Sequence, residues 1–112
     1  MQKSLHFAST IVESAAAINI ENRILAHQLI RSGTAIGASI SEAQSAESIT
    51  DFVHKLKIAD KEANETLYWL AILEKQLPGF SESLKEDLVE IKKLLTSIII
   101  TCRKKQKNDG FN

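Results

Sequence analysis

SITDFVHKLKIADKEANETLYWLAILEKQL, residues 48–77, carries apolar or small side chains at alternating intervals of four and three residues. Because a helix has about 3.6 residues per turn, such positions fall on one side, and the pattern predicts a long helix with one buried stripe. Ser48 and Asp51 form a candidate capping box at its start, and Pro78 and Gly79 end it. The predicted stripe consists of Phe52, Leu56, Ala59, Ala63, Thr66, Leu70, Leu73 and Leu77.

Three more helices are predicted on the two sides of this one. The first covers about residues 4–18, and the second covers about residues 20–43 with Asn19 as its cap. The fourth begins near Ser81 or Ser83, and Ser83 heads a second candidate capping box with Glu86. The faces predicted to be buried are Leu5, Ala8, Val12 and Ala15 in the first helix, Leu25, Leu29, Ile36, Ile40 and Ala43 in the second, and Leu84, Leu88, Ile91, Leu95, Ile98 and Cys102 in the fourth.

Short connections between the predicted helices set the architecture. Helices joined by only a few residues pack as antiparallel neighbours, so we expect an all-α, antiparallel, up-down-up-down four-helix bundle. Residues 1–107 form this single domain, and residues 108–112 form a flexible C-terminal tail.

Composition restricts the classes of function. The formal net charge is zero and there is a single cysteine, Cys102, which we interpret as a buried structural thiol. Apolar runs are too short for a membrane span, and the N-terminus does not resemble a secretory signal. We therefore expect a soluble cytoplasmic protein with no cofactor.

Small residues recur at intervals of four in the second helix, at Gly33, Gly37, Ser41 and Ser45. The spacing and the absence of a following lysine exclude a phosphate-binding loop of the Walker type. Small side chains let another backbone approach closely, which leaves two alternatives: tight packing inside one bundle, or an interface between subunits. The candidate packing or interface residues are Gly33, Gly37, Ser41, Ile36, Ile40 and Trp69.

No constellation for catalysis or metal binding is found. Asp51 and His54 lack the second copy that a di-iron bundle site requires. Glu62 and Glu65 are interpreted as a solvated ion-pair face together with Lys57 and Lys61. We therefore predict a protein that is not an enzyme.

A basic run follows the fourth stripe, at Arg103, Lys104, Lys105 and Lys107. These cations are candidate phosphate contacts, and a ring of subunits would multiply their number. The alternative is a frayed, solvated helix end in which positive charge complements the helix dipole.

Residues 27–75 resemble the four-helix-bundle family named after open reading frames in the intervening sequences of bacterial 23S rRNA genes. Two positions depart from its pattern, Ser39 where asparagine is usual and Ser41 where alanine is usual. The matching residues are Arg31, Ser32, Gly33, Ile36, Ala38, Ile40, Glu42, Asp51, Phe52, Leu56, Ile58, Ala59, Glu62, Ala63, Glu65, Thr66, Tyr68, Trp69 and Leu70.

The resemblance implies an antiparallel four-helix bundle assembled into a pentameric ring, and it implies no catalytic site. Relatives include the basic pentameric accessory protein of diversity-generating retroelements, which binds a reverse transcriptase and nucleic acid. We expect a homo-oligomeric scaffold or adaptor that engages itself and a protein partner. The alternative is a nucleic-acid-binding accessory protein that uses the basic end of the fourth helix.

Overall fold

The computed structural model describes residues 2–109, and all the regular secondary structure in this part of the chain is helical, without strands. Its four α-helices are α1 (Gln2–Ala16), α2 (Arg23–Ala43), α3 (Ile49–Gln76) and α4 (Glu82–Asp109). A single 3₁₀ turn, Ile20–Asn22, precedes α2. The prediction of an all-α protein built from four helices is therefore confirmed.

The helices are unequal in length, which leaves part of the bundle with fewer layers. Helix α1 has 15 residues and α4 has 28, so they are about 22 and 42 Å long at 1.5 Å per residue. Helix α2 packs on α1 and most extensively on α3, while α4 packs on α3 and only slightly on α1. The C-terminal half of α4 extends well beyond the start of α1.

The core is formed mainly by the predicted stripes of α2 and α3. Leu56, Ala59, Ala63, Thr66, Leu70 and Leu73 are buried, as are Leu29, Ile36, Ile40 and Ala43. At the two ends of the α3 stripe, Phe52 and Leu77 are half-buried and packed against the core, and Val53 is buried in addition. The periodicity of these two helices predicted their orientation correctly.

The buried face of α1 differs from the predicted one. Phe7 and Ile11 are buried together with Ser4 and Ala15, whereas Leu5 is 67% exposed and Val12 is 46% exposed. The two alternative stripes are offset by one residue at their first three positions and share Ala15, and both consist of three- and four-residue intervals, so periodicity could not choose between them. The larger side chains of Phe7 and Ile11 bury more apolar surface, which favours the observed orientation.

The prediction of the buried stripe of α4 is confirmed in the first half of the helix only. Leu84, Leu88, Ile91 and Leu95 are buried, but Ile98 is 41% exposed and Cys102 is half-buried. The expectation that these last two side chains belong to the core was wrong, because they lie on the part of α4 that α1 is too short to cover. The helix itself continues to Asp109, past the predicted domain boundary at residue 107.

Some predicted helix caps are absent. Ser48 accepts a hydrogen bond from the backbone N–H of Asp51 at 3.0 Å, as expected, but the Asp51 carboxylate accepts from Glu47 rather than from Ser48. The Asn19 side chain caps no backbone group and instead accepts from the Asn22 amide. Because α4 already begins at Glu82, Ser83 lies inside its first turn and is not its cap.

The turn between α3 and α4 is held by a carboxylate. Glu74 Oε2 accepts from the backbone N–H of Gly79 at 2.6 Å, and Oε1 accepts from Ser81 at 3.0 Å. Gly79 has φ of 91°, a left-handed conformation that glycine adopts readily. The hydrogen bonds from Gly79 and then Ser81 lower the pKa of Glu74 below its ordinary value of 4.5, since they favour the ionised form.

Candidate functional site

The two glycines of α2 face α1 of the same chain. Gly33 is buried, and a Cβ atom there would lie 3.2 Å from Cγ1 and Cγ2 of Ile11. Gly37 is half-buried, and a Cβ there would meet Ser4 at 3.7 Å. Both glycines thus pack inside one bundle, tightly at Gly33 and at ordinary van der Waals distance at Gly37. Ser41, the next member of the stripe, is exposed.

The other candidate packing residues divide between the core and the surface. Ile36 and Ile40 are buried and belong to the main core cluster. Trp69 is half-buried and packs against that cluster, and its ring contacts Tyr68 edge-on with centroids 5.1 Å apart. Tyr68 is 60% exposed, so the two aromatic rings link the core to the solvent-facing side of α3.

A buried polar contact joins α2 to α3. Thr66 Oγ1 lies 2.9 Å from Ser32 Oγ, and both side chains are fully buried. The Ser32 hydroxyl donates to the carbonyl of Gln28 at 3.0 Å. The hydroxyl groups of this pair are therefore hydrogen-bonded inside the core, and the contact helps to set the axial register between α2 and α3.

A charged cluster lies directly outside this contact. We call it the Arg31 cluster; it consists of Gln28, Arg31, Glu62, Glu65 and Trp69. The guanidinium of Arg31 donates to Gln28 at 3.0 Å, forms an ion pair with Glu65, and lies 3.9 Å from Glu62 Oε2. Glu65 also accepts from the indole N–H of Trp69 at 3.1 Å. Each charged group of the cluster thus contacts another across α2 and α3.

The Arg31 cluster corrects the predicted pairing of Glu62 and Glu65. These carboxylates are paired with Arg31 on α2, and within residues 2–108 neither forms an ion pair with Lys57 or Lys61. Glu62 Oε2 is buried and has no hydrogen bond in the described structure. The sequence signal was present, since Glu62, Glu65 and Trp69 follow one another at helical spacing, but it gave no indication of the partner helix.

The basic residues at the end of α4 all lie on a continuous helix. Arg103, Lys104, Lys105 and Lys107 are exposed, and Gln106 donates to Thr50 at 2.9 Å, which ties this end of α4 to the start of α3. The exposure of all four cations suits both interpretations given above, contact with phosphates and a solvated helix end. The tail beyond residue 109, including Phe111, lies outside the described residues.

Asp51 and His54 are the residues whose spacing most nearly fits a metal-binding pattern. Asp51 is engaged at the N-terminus of α3, and His54 is exposed on that helix. Across the described part of the chain, histidine, cysteine and carboxylate side chains do not gather in a group able to hold a metal ion. Between residues 2 and 109, none of the helices combines the length and apolar character needed to cross a bilayer.

These features define a small all-α protein of four helices whose polar clusters lie on helix faces. The chain belongs to the family of 23S rRNA-intervening sequence proteins, whose family model matches residues 1–97. It is similar to a protein of unknown function from the S23 ribosomal protein family of Bacteroides thetaiotaomicron, whose crystal structure has been solved. The two are 47% identical with a TM-score of 0.82, and the match covers 88% of this chain and 95% of that one. No curated protein matches the chain.

Proposed function

We propose that the chain is a non-enzymatic, homo-oligomeric scaffold or adaptor, a ring of four-helix bundles that acts in the cytoplasm. The observation that carries the proposal is an apolar groove where α4 extends past α1. This groove, which we call the end groove, has a volume of about 500 Å³ and is lined by residues that include Ile40, Phe52, Leu56, Leu94 and Ile98. An open groove of this composition is typical of a surface that is covered in an assembly.

The antiparallel arrangement is part of the proposal and is supported by pairs of contacts. Between α2 and α3, Arg31 meets Glu65 while Glu42 meets Lys55, so residue numbers rise on one helix as they fall on the other. The same holds between α3 and α4, where Asp60 meets Lys92 and Thr50 meets Gln106. Up-down-up-down topology is the simplest path through these contacts.

The ring form is supported by the distribution of exposed apolar residues. Leu94 and Ile98 lie at the end groove, while Leu5 and Val12 form an exposed stripe on α1. Two different apolar surfaces on one chain suit a head-to-tail interface, which closes into a ring when the rotation allows. The family resemblance of the sequence favours five subunits.

Light scattering after size exclusion tests the ring. We expect a mass near five times 12.4 kDa. Ile98→Glu places a charge in the end groove and is expected to reduce the mass to that of a monomer. Ser83→Glu adds the same charge at an exposed position outside the groove and serves as the control. A wild-type monomer, or a ring unaffected by Ile98→Glu, contradicts the proposal.

The alternative function, a nucleic-acid-binding accessory protein, is favoured by the exposure of Arg103, Lys104, Lys105 and Lys107. At about 100° per residue these cations are spread over about 200° of the helix circumference instead of sharing one narrow face. Binding of single-stranded RNA that disappears when all four become glutamine, and that weakens steeply with salt, would support this alternative.

A further inference from the structure

The outer surface between α3 and α4 carries a second groove, away from the end groove. It has a volume of about 710 Å³ and includes Leu67, Val89 and Ile100 as apolar residues and Lys92, Lys93 and Lys104 as cations. We call it the lysine groove. From this composition we propose that it binds an acidic amphipathic helix of a partner protein. The inference names a partner class for the adaptor and rests on the function proposed above.

The charge of the lysine groove selects the partner. All the charged residues that line it are lysines. Lys92 is paired with Asp60 at 2.6 Å, whereas Lys93 and Lys104 are exposed and form no ion pair with any residue of the 2–108 segment. Two unpaired cations on one surface complement an occupant with carboxylates at its edges.

The shape and the apolar residues select a helix. The lining follows one side of α4 from Val89 to Lys104, a length of about 22 Å. Ile100 is 49% exposed there. Apolar side chains on a partner helix at positions i, i+4, i+7 and i+11 span about 16 Å, which fits within this length, as in other helix-in-groove complexes.

A protein helix fits these observations better than nucleic acid does. Phosphate binding requires cations but gains nothing from Leu67, Val89 or an exposed Ile100. Single-strand binding uses aromatic side chains on which bases stack, and the lining of this groove holds none. The apolar residues between the lysines are the feature that an acidic amphipathic helix uses.

A labelled peptide of about 15 residues tests the inference by fluorescence anisotropy. The probe carries leucine at the four apolar positions and glutamate on both flanks. Two comparison peptides carry lysine flanks or replace the leucines with glutamine. We expect binding of the first peptide only, with an affinity that decreases as salt is raised.

Variants locate the binding site. Lys93→Glu and Lys104→Glu are each expected to weaken binding about tenfold, and Ile100→Glu is expected to abolish it. Lys105→Glu makes the same charge change next to Lys104 but outside the groove, and is expected to bind as wild type does. Circular dichroism verifies that each variant is folded.

Four outcomes would overturn the inference. They are no binding of the acidic peptide, equal loss with Lys105→Glu, equal binding of the peptide without leucines, and RNA that displaces the peptide from the groove. A fifth such outcome is the loss of the ring in Ile100→Glu, measured by light scattering, because it would show that the lysine groove is an interface between subunits. A monomeric wild type that still binds the peptide refutes the ring alone, and a ring that does not bind it refutes the groove alone.

Discussion

The side chain of Ile11 occupies the space that a side chain at residue 33 would need. A Cβ atom on Gly33 would lie 3.2 Å from two carbons of Ile11, tighter than ordinary van der Waals contact, whereas one on Gly37 would meet Ser4 at an ordinary 3.7 Å. The two glycines are equivalent in the sequence pattern but differ in what the packing of α1 on α2 allows.

Substitution of the two glycines is therefore expected to have opposite effects. Gly33→Val forces Ile11 to move and should lower the free energy of unfolding by about 1–3 kcal/mol. Gly37→Ala adds a contact without a clash and replaces the poorer helix former, so it should raise that energy by up to about 1 kcal/mol. Urea denaturation measures both. Equal destabilisation by the two changes would show that α1 does not pack as described.

The orientation of α1 is determined by its packing on α2 and not by its sequence pattern alone. Leu5 and Val12 lie seven residues apart and Phe7 and Ile11 lie four apart, and both intervals place the two side chains on one side of a helix, so the sequence of α1 alone is compatible with two faces. The choice depends on α2, where Gly33 leaves room for Ile11. For α3 the sequence was sufficient, because its stripe is long and its other positions carry many charged residues.

The buried contact between Ser32 and Thr66 leads to a second prediction. Thr66→Val keeps the shape but removes the hydroxyl, leaving Ser32 Oγ without this hydrogen bond, and is expected to cost about 1 kcal/mol of stability. Thr101→Val is the matched control, since its hydroxyl also bonds the carbonyl four residues earlier but is exposed. Thermal unfolding of the two variants side by side measures the difference. Equal effects would mean that the contact between helices contributes nothing.

The Arg31 cluster makes the single tryptophan a reporter of α2–α3 contact. Glu65→Ala removes both the ion pair with Arg31 and the acceptor of the Trp69 indole. We expect a red shift of Trp69 emission and a loss of about 0.5–1 kcal/mol, because the pair is partly exposed. Glu13→Ala, at an exposed position on α1, should change neither. An unshifted spectrum in Glu65→Ala would contradict the hydrogen bond to the indole.

Arg31 also shows why the cluster was not predicted as a unit. Spacing along α3 groups Glu62, Glu65 and Trp69, but the cation that joins them comes from another helix. Such a partner depends on the register between α2 and α3, which the buried Ser32–Thr66 contact helps to set. The lysine groove was missed for the same reason, since it combines one face of α4 with Leu67 of α3.

The lowered pKa of Glu74 predicts that the stability of the protein depends on pH. Its pKa is lowered in the folded protein by hydrogen bonds from Gly79 and Ser81, so its contribution is present above the ordinary value of 4.5. That contribution is lost as the pH falls below this value and the carboxylate becomes protonated in the folded state. Glu74→Gln should therefore be less stable than wild type at neutral pH and approach it in acid. A stability difference that stays constant across this range would contradict the role assigned to the carboxylate.

Adjacent residues of α1 give the sharpest test of its orientation. Ile11 is fully buried and Val12 is 46% exposed, so Ile11→Ala should cost about 2–5 kcal/mol and Val12→Ala less than about 0.5 kcal/mol. Urea unfolding at several protein concentrations separates folding from assembly, because contacts between subunits make the midpoint concentration-dependent. A large effect of Val12→Ala that persists on dilution would place Val12 in the core and refute this orientation. A destabilisation by Val12→Ala that vanishes on dilution would instead place the exposed stripe of α1 in the proposed interface between subunits.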